Sequence, residues 1–166
     1  MAQRSLWKKT AEKAVEGYFK NTPFKCYSSS SSCCICPGGV TIDFDLRYKG
    51  FFTFWRKDDY VVTVLPDPNH RSWVSSTSGN GTAEFDIADV NGQNKGASVP
   101  QVPVVHETGH MLGLDHPGGA NNSSSAYQAD FESLMGGGMS LRLPDFDKAF
   151  CDKLPAGEGC GPWKGK

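Results

Sequence analysis

The chain has 166 residues, of which 38% are hydrophobic, so it is long enough for one packed core and too short for two domains of ordinary size. Its 17 basic and 18 acidic residues leave a formal net charge of −1, which excludes a strongly basic surface for nucleic acid or for an anionic membrane. No apolar stretch is long enough to cross a bilayer. We therefore expect a single globular domain over residues 1–166 that is monomeric and binds neither nucleic acid nor membrane.

The first predicted element is an amphipathic helix over residues 5–19. Its apolar residues, including Trp7, Val15 and Phe19, recur every three or four positions, which is the period of a helix with one buried face. The segment that follows, residues 21–39, is rich in serine, glycine and proline and predicts a loop.

The chain contains six cysteines: Cys26, Cys33, Cys34, Cys36, Cys151 and Cys160. This is more than a reducing compartment usually holds, so disulfide bonds are predicted; a structural metal site and plain buried thiols are the alternatives. Residues 1–9 lack the apolar segment of a signal peptide. We therefore expect a domain that is secreted, or delivered to an extracytoplasmic compartment, by another apparatus.

Three strands are predicted next. Residues 40–48 alternate between apolar and polar side chains, as in a strand with one buried face. Residues 60–65 predict a second, more buried strand. Residues 82–90 predict a third, whose polar face favours a position at the edge of a sheet.

A second helix is predicted over residues 102–112, with Pro103 in the first turn, where a missing N–H costs little. It carries His106 and His110 at positions i and i+4, so their imidazoles lie one turn apart on the same face. Both rings can then reach a single metal ion at about 2.0–2.1 Å from each nitrogen.

The histidines belong to the pattern H-E-x-x-H-x-x-G-x-x-H, which ends at His116. Six residues past His110, the third histidine would lie about 9 Å further along the axis if the helix continued. Gly113 provides the turn that avoids this, because helices commonly end at a glycine in the left-handed conformation. The sequence thus predicts a zinc site formed by His106, His110 and His116.

Glu107 is the predicted catalytic base. It is rotated about 100° around the helix from His106, so it borders the metal without coordinating it. Three neutral imidazoles leave a fourth position for water, whose pKa falls toward about 7 on zinc. A carboxylate placed there can accept the proton and return it to a leaving amine.

This motif resembles that of the metzincin clan of zinc endopeptidases, and residues 113–116 are similar to its matrixin form. Met135, followed by a glycine, resembles the methionine turn that lies beneath the zinc histidines in that clan. The resemblance implies a zincin-like α+β fold, with a twisted mixed sheet of about four strands, an upper part of residues 1–113 and a lower part of residues 114–166. It also implies a protein or peptide substrate that adds to an edge strand above the zinc, for which residues 82–90 are the candidate.

Two features depart from the clan. The stretch from His116 to Met135 is longer than in matrixins, and no tyrosine closely follows Met135 as it does in astacins. Tyr127, inside the longer stretch, is a candidate donor to the oxyanion, with packing as the alternative.

The layout of residues 61–150 also looks like zinc-peptidase domains at the C-termini of bacterial polymorphic toxins. There a zinc helix, a Met-Gly-x-Gly turn and a short final helix follow one another, although the third ligand is often aspartate. The corresponding final helix is predicted over residues 144–154, whose apolar residues share one face. This resemblance implies a toxin domain with a cognate inhibitor or immunity protein.

We therefore predict a zinc endopeptidase that hydrolyses internal peptide bonds. Two alternatives use the same residues: a zinc amidase or peptidoglycan hydrolase, and a metal-binding interaction module without turnover. Calcium is unsupported, because the acidic residues, Asp86 and Asp89 among them, lack regular ligand spacing and are expected to be solvated turn residues.

Overall fold

A computed structural model describes residues 2–20, 26–28, 44–48, 60–67, 70–75, 80–119, 124–142 and 163–165. The elements in chain order are α1 (Ala2–Lys20), β1 (Cys26–Ser28), β2 (Tyr60–Leu65), β3 (Trp73–Val74), β4 (Gly81–Asp86), α2 (Pro103–Met111), α3 (Ser125–Ala129) and β5 (Trp163–Gly165). The fold is therefore mixed α+β. None of the helices in these ranges is long and apolar enough to cross a membrane.

The N-terminal helix predicted over residues 5–19 is confirmed, and α1 extends it by a few residues at its start. Its apolar stripe faces the core, where Ala11, Val15 and Phe19 are fully buried. The helix packs against α2. It therefore supports the helix that carries the predicted metal ligands.

The strand predicted over residues 40–48 is wrong where the structure describes it. Residues 44–48 form neither helix nor strand. The backbone N–H of Leu46 donates to the Glu12 carboxylate on α1, at 3.0 Å, and not to a neighbouring strand. Phe44 and Leu46 still pack against the core, as the alternation predicts, whereas Tyr48, predicted on the same face, is 58% exposed. The rest of this predicted strand lies outside the described residues.

The main sheet has three strands in the order β2-β4-β3, with β2 parallel and β3 antiparallel to β4. The described residues thus supply three of the roughly four strands that were expected. The strand at residues 60–65 is confirmed as β2, although Thr63 and Val64 are exposed, so it is less buried than predicted. Sequence reasoning missed β3, because two residues are too few to show an alternating pattern.

β4 lies in the centre of the sheet, so the prediction that residues 82–90 form an edge is wrong. Ala83 and Phe85 are fully buried, and β4 pairs with a strand on both sides. The strand also ends at Asp86, because the following residues form a turn in which the Asp86 carboxylate accepts from the N–H of Ala88 at 2.6 Å. The outer positions among the described strands belong to β2 and β3.

Two further parts of the chain complete the description. β1 and β5 pair in a separate antiparallel sheet of two strands. The five-residue helix α3 was missed, because it follows a serine-rich patch and is too short to show a period. The helix predicted over residues 144–154 and the predicted disulfide pairing lie outside the residues whose side chains the structure describes.

Candidate metal centre

The helix α2 begins and ends as its sequence predicts. Pro103 is its first residue, and Gly113 follows its end with φ of +98°, a left-handed conformation that favours glycine. The N–H of Gly113 donates to the carbonyl oxygen of His110 at 2.9 Å, and the N–H of Leu114 donates to that of Gly109 at 3.0 Å. This pair of bonds is a Schellman motif, which ends the helix and reverses the chain.

The reversal brings His116 back to the two histidines on α2. Nε2 of His116 lies 3.2 Å from Nε2 of His106 and 3.2 Å from Nε2 of His110. Three nitrogens that bind one ion tetrahedrally at about 2.0–2.1 Å stand about 3.3 Å apart. The three predicted histidines therefore form a group that is placed to hold a metal ion.

Hydrogen bonds to backbone carbonyls orient two of the rings. Nδ1 of His106 lies 2.6 Å from the carbonyl oxygen of Leu134, and Nδ1 of His110 lies 2.8 Å from that of Leu114. A ring nitrogen that faces a carbonyl oxygen carries the proton, so Nε2 keeps its lone pair for a metal. Burial lowers the pKa of His106 to about 3 and that of His116 to about 4, which keeps both rings neutral.

Gln101 fixes the turn that carries Leu134. No sequence motif had indicated a role for Gln101. It is fully buried, and its amide nitrogen donates to the carbonyl oxygens of Leu134 at 3.1 Å and Gly136 at 2.8 Å. Because the Leu134 oxygen also accepts from His106, the amide connects this turn to the first histidine of the group. Gln101 is therefore a positioning residue for His106.

Met135 lies directly against α2. It is 3% exposed, and a Cβ built on Gly109 would come within 2.6 Å of its Sδ. Only glycine at position 109 lets the methionine approach the helix so closely. Met135 thus packs against the helix that carries His106 and His110, and its role as a methionine turn beneath a metal stays a prediction.

Gly109→Ala is expected to lower the free energy of unfolding by about 1–3 kcal/mol, because overpacking against Met135 outweighs the gain of about 1 kcal/mol in helix propensity. Gly17→Ala is the matched control, since Gly17 is exposed in α1 and a Cβ there meets open space. It should stabilise the protein by about 0.5–1 kcal/mol. Urea denaturation measures both changes.

Combining Gly109→Ala with Met135→Ala tests which neighbour causes the effect. If the sulfur of Met135 is the obstacle, the double variant should lose less stability than the sum of the two single variants. Strictly additive losses would contradict a direct contact between these residues.

Gly113→Ala is expected to cost about 1–2 kcal/mol, because alanine resists the left-handed conformation, and to weaken metal binding about tenfold, because His116 follows the strained turn. Gly96→Ala is a matched control with the same φ of +98° and only ordinary contacts, 3.8 Å from the Phe131 ring. It should lose similar stability and keep its metal affinity. If Gly113→Ala and Gly96→Ala lost metal affinity equally in calorimetric titrations, the result would contradict a specific role of the Gly113 turn.

Glu107 follows His106 on α2 and is a buried carboxyl group, 8% exposed. Burial, and after it the negative charge of Asp89, raise the pKa of Glu107 to about 7, while the positive charges of Lys95 and Arg71 act in the opposite direction. A divalent cation at the histidines would lower this pKa. A carboxyl group whose pKa lies near neutral pH is suited to accept a proton and return it.

Asp86 and Asp89 are each only 2% exposed, so the prediction that they are solvated is wrong. The Asp89 carboxylate accepts from the N–H of Asp86 at 2.7 Å, from the Ser72 hydroxyl and from the Gln93 amide at 3.3 Å. Burial raises the pKa of Asp89. The backbone carbonyl oxygen of Asp89 accepts from the N–H of Val104 at 3.1 Å. The turn of residues 87–90 is therefore attached to the first turn of α2.

Tyr127 lies against the third histidine. Its ring centroid is 5.8 Å from that of His116, with the two planes at 74°, and 5.9 Å from that of Phe131. The residue is 8% exposed. These contacts give Tyr127 a packing role, and donation to an oxyanion stays a prediction.

No known protein family, curated protein or solved structure matches this chain. Within the described residues, the three histidines are the one group of three or more potential ligands that is placed to hold a metal ion.

Proposed function

We propose that the protein is a zinc-dependent endopeptidase. The observation that carries the proposal is the convergence of three imidazole nitrogens, with Glu107 buried one residue from the first of them. Among the described residues no fourth ligand joins the three histidines. Structural zinc sites are closed by four protein ligands, whereas catalytic sites keep one position open.

The donor set favours zinc over other biological cations. Magnesium and calcium prefer oxygen ligands, and neutral imidazoles at tetrahedral spacing are typical of catalytic zinc. The backbone carbonyls that orient His106 and His110 also make the rings better donors. Bound zinc would polarise a substrate carbonyl and make a water molecule more acidic.

Glu107 serves as the general base and then as the general acid. Its carboxylate accepts a proton from the water molecule that attacks the carbonyl carbon of the scissile bond. It delivers that proton to the amine nitrogen as the C–N bond breaks. Burial raises the pKa of Glu107, because it disfavours the charged carboxylate. The carboxylate therefore takes up the proton of the water molecule more readily.

The outer edge of β3 is the proposed binding place for the substrate backbone. β3 pairs with β4 on one side, and no strand in the described part of the chain covers its other side. It also lies next to α2. An extended peptide can add to such an edge through main-chain hydrogen bonds. β3 therefore replaces residues 82–90 as the candidate edge strand for the substrate.

The proposal is tested by incubating the zinc-loaded protein with an unfolded protein substrate and, in parallel, with purified peptidoglycan. We expect new internal termini in the protein substrate by mass spectrometry, a stop on adding a chelator, and recovery on adding zinc. Hydrolysis of peptidoglycan alone would contradict the endopeptidase and favour the amidase. No hydrolysis of either substrate by protein that holds zinc would favour the non-catalytic binding module.

A further inference from the structure

The turn that orients His106 is held together by its own backbone. The N–H of Leu134 donates to the carbonyl oxygen of Ser140 at 2.7 Å, and the N–H of Ser140 donates to that of Glu132 at 2.9 Å. A Cβ built on Gly138 would overlap the Glu132 carbonyl oxygen, so the turn is closely packed. A displacement of Glu132 would therefore also displace the Leu134 carbonyl oxygen, which lies 2.6 Å from Nδ1 of His106.

The side chain of Glu132 binds a separate loop. The N–H of Ser98 lies 3.1 Å from Oε1 and 3.0 Å from Oε2 of Glu132, and the Ser98 hydroxyl donates to Oε2 at 2.5 Å. Hydrogen bonds to an ionised carboxylate are about twice as strong as those between neutral groups. No lysine or arginine in the described residues forms an ion pair with Glu132. We call this contact the Ser98–Glu132 latch.

Ser98 belongs to the loop of residues 93–101, whose last residue is Gln101. Two backbone hydrogen bonds, of 2.7 and 3.0 Å, close this loop at its base. The Gln101 amide donates to two carbonyl oxygens in the turn of residues 131–140. The loop is thus bound to the turn at two points, a buried one at Gln101 and an exposed one at the latch.

The two histidines of α2 differ in how they depend on this loop. Nδ1 of His106 faces the carbonyl oxygen of Leu134, in the turn that the loop binds. Nδ1 of His110 lies 2.8 Å from the carbonyl oxygen of Leu114, in the turn that ends α2. In the described part of the chain, no hydrogen bond joins that second turn to the loop. A change at the latch should therefore affect His106 and leave His110 unaffected.

We propose that Glu132 is a positioning residue for the metal centre, because the Ser98–Glu132 latch keeps the Leu134 carbonyl oxygen in place to orient His106. Opening the latch separates the loop from the turn at an exposed point, and the His106 ring then loses its fixed orientation. Groups that bind a metal ligand directly change metal affinity by about 10–100-fold. Glu132 acts one step further away, so about fivefold is expected. The inference rests on the zinc site of the proposed function and requires no hydrolysis.

The zinc affinity of Glu132→Ala, measured by competition with a chromophoric chelator, is the first test. The Kd for zinc should rise about fivefold relative to the parent. Asp130→Ala is the matched control, because its carboxylate lies on the same segment and binds Arg142 instead of the loop. It removes the same charge and should keep the parental Kd within about twofold. Equal losses of affinity in Glu132→Ala and Asp130→Ala would reveal an effect of charge alone and overturn the proposal.

Ser98→Ala tests the latch from its other side. It removes the hydroxyl donor and keeps the N–H, so it should weaken zinc binding about twofold in the parent. In the Glu132→Ala background the same change should have no effect, because the latch is already open. If the losses from Ser98→Ala and Glu132→Ala were simply additive, the two residues would not act through one contact, and the proposal would be wrong.

Solvent exchange of the two ring protons separates an effect on orientation from a general loss of stability. In the zinc-loaded protein, NMR follows the Nδ1 protons of His106 and His110. Glu132→Ala should speed exchange at His106 and leave His110 at the parental rate, whereas a general loss of stability would speed both. Unchanged exchange at His106, or equal acceleration at both rings, would overturn the proposal.

These measurements also separate failure of this inference from failure of the proposed peptidase. Zinc affinity and ring exchange are read without a substrate, so the expected results would support the role of Glu132 even if no peptide is cleaved. A parent that cleaves peptides, with a Glu132→Ala variant that keeps the parental Kd for zinc, would overturn the inference and leave the proposed function intact.

Discussion

Replacing Glu107 with glutamine is expected to abolish peptide hydrolysis and to leave the metal in place. The amide keeps the shape of the side chain but cannot accept the proton of the attacking water, so kcat should fall about 10³-fold. Metal binding should persist, because the ligand atoms belong to His106, His110 and His116. A fluorogenic peptide assay together with zinc analysis by mass spectrometry measures both quantities on one sample.

The matched control is Glu16→Gln on α1, which removes the same charge outside the metal helix. It should hydrolyse the peptide at the parental rate. A Glu107→Gln protein that retained full zinc and the parental rate would contradict the assignment of the base. A variant that lost its zinc would show that the carboxylate helps to hold the metal.

Removing the metal is expected to lower the stability of the folded protein by several kcal/mol. The histidine group exists only after folding, because His116 reaches the helix through the turn at Gly113. Zinc then stabilises by mass action, by about 2.7 kcal/mol at a free concentration of 100 times Kd and about 4.1 kcal/mol at 1,000 times Kd. In a domain of this size, that corresponds to a fall of about 10 °C in Tm on adding a chelator.

His116→Ala should eliminate the dependence of Tm on the chelator and reduce the zinc content from one per chain to near zero. His116 is the appropriate ligand to replace, because its ring is less buried than that of His106. His70→Ala replaces the fourth histidine of the chain and should retain the full shift in differential scanning calorimetry. A chelator effect that survives in His116→Ala would place the metal elsewhere, with the cysteines as the first alternative.

Local sequence patterns predicted the elements that carry the metal centre. The period of apolar residues located α1 and α2, and the glycine at position 113 located the end of the metal helix, because these signals depend on neighbours within one or two turns. The spacing of the histidines within the motif was sufficient to predict the ligand group.

Features that depend on distant parts of the chain were not visible in the sequence. β4 has the alternation of a half-exposed strand, and its central position follows from pairing with β2 and β3. Asp89 looks like a surface turn residue, and its burial follows from contacts with Ser72 and Gln93. Gln101 belongs to no motif, and its role follows from the turn more than thirty residues later that it binds.

The predictions that concern secretion, toxicity and a cognate inhibitor depend on partners and compartments outside this chain. They stay predictions. The structure supports a narrower statement: three histidines are placed to hold a metal ion, and the residue that follows the first of them is a buried glutamate.

X-ray absorption spectroscopy of the protein loaded with one zinc ion per chain tests that arrangement most directly. Coordination by His106, His110 and His116 predicts nitrogen and oxygen scatterers alone, at about 2.0–2.1 Å, with the multiple-scattering signature of imidazole. His116→Ala should hold too little zinc to give this spectrum. Sulfur scatterers at about 2.3 Å in the parent would place the zinc on cysteines and contradict the proposed metal centre.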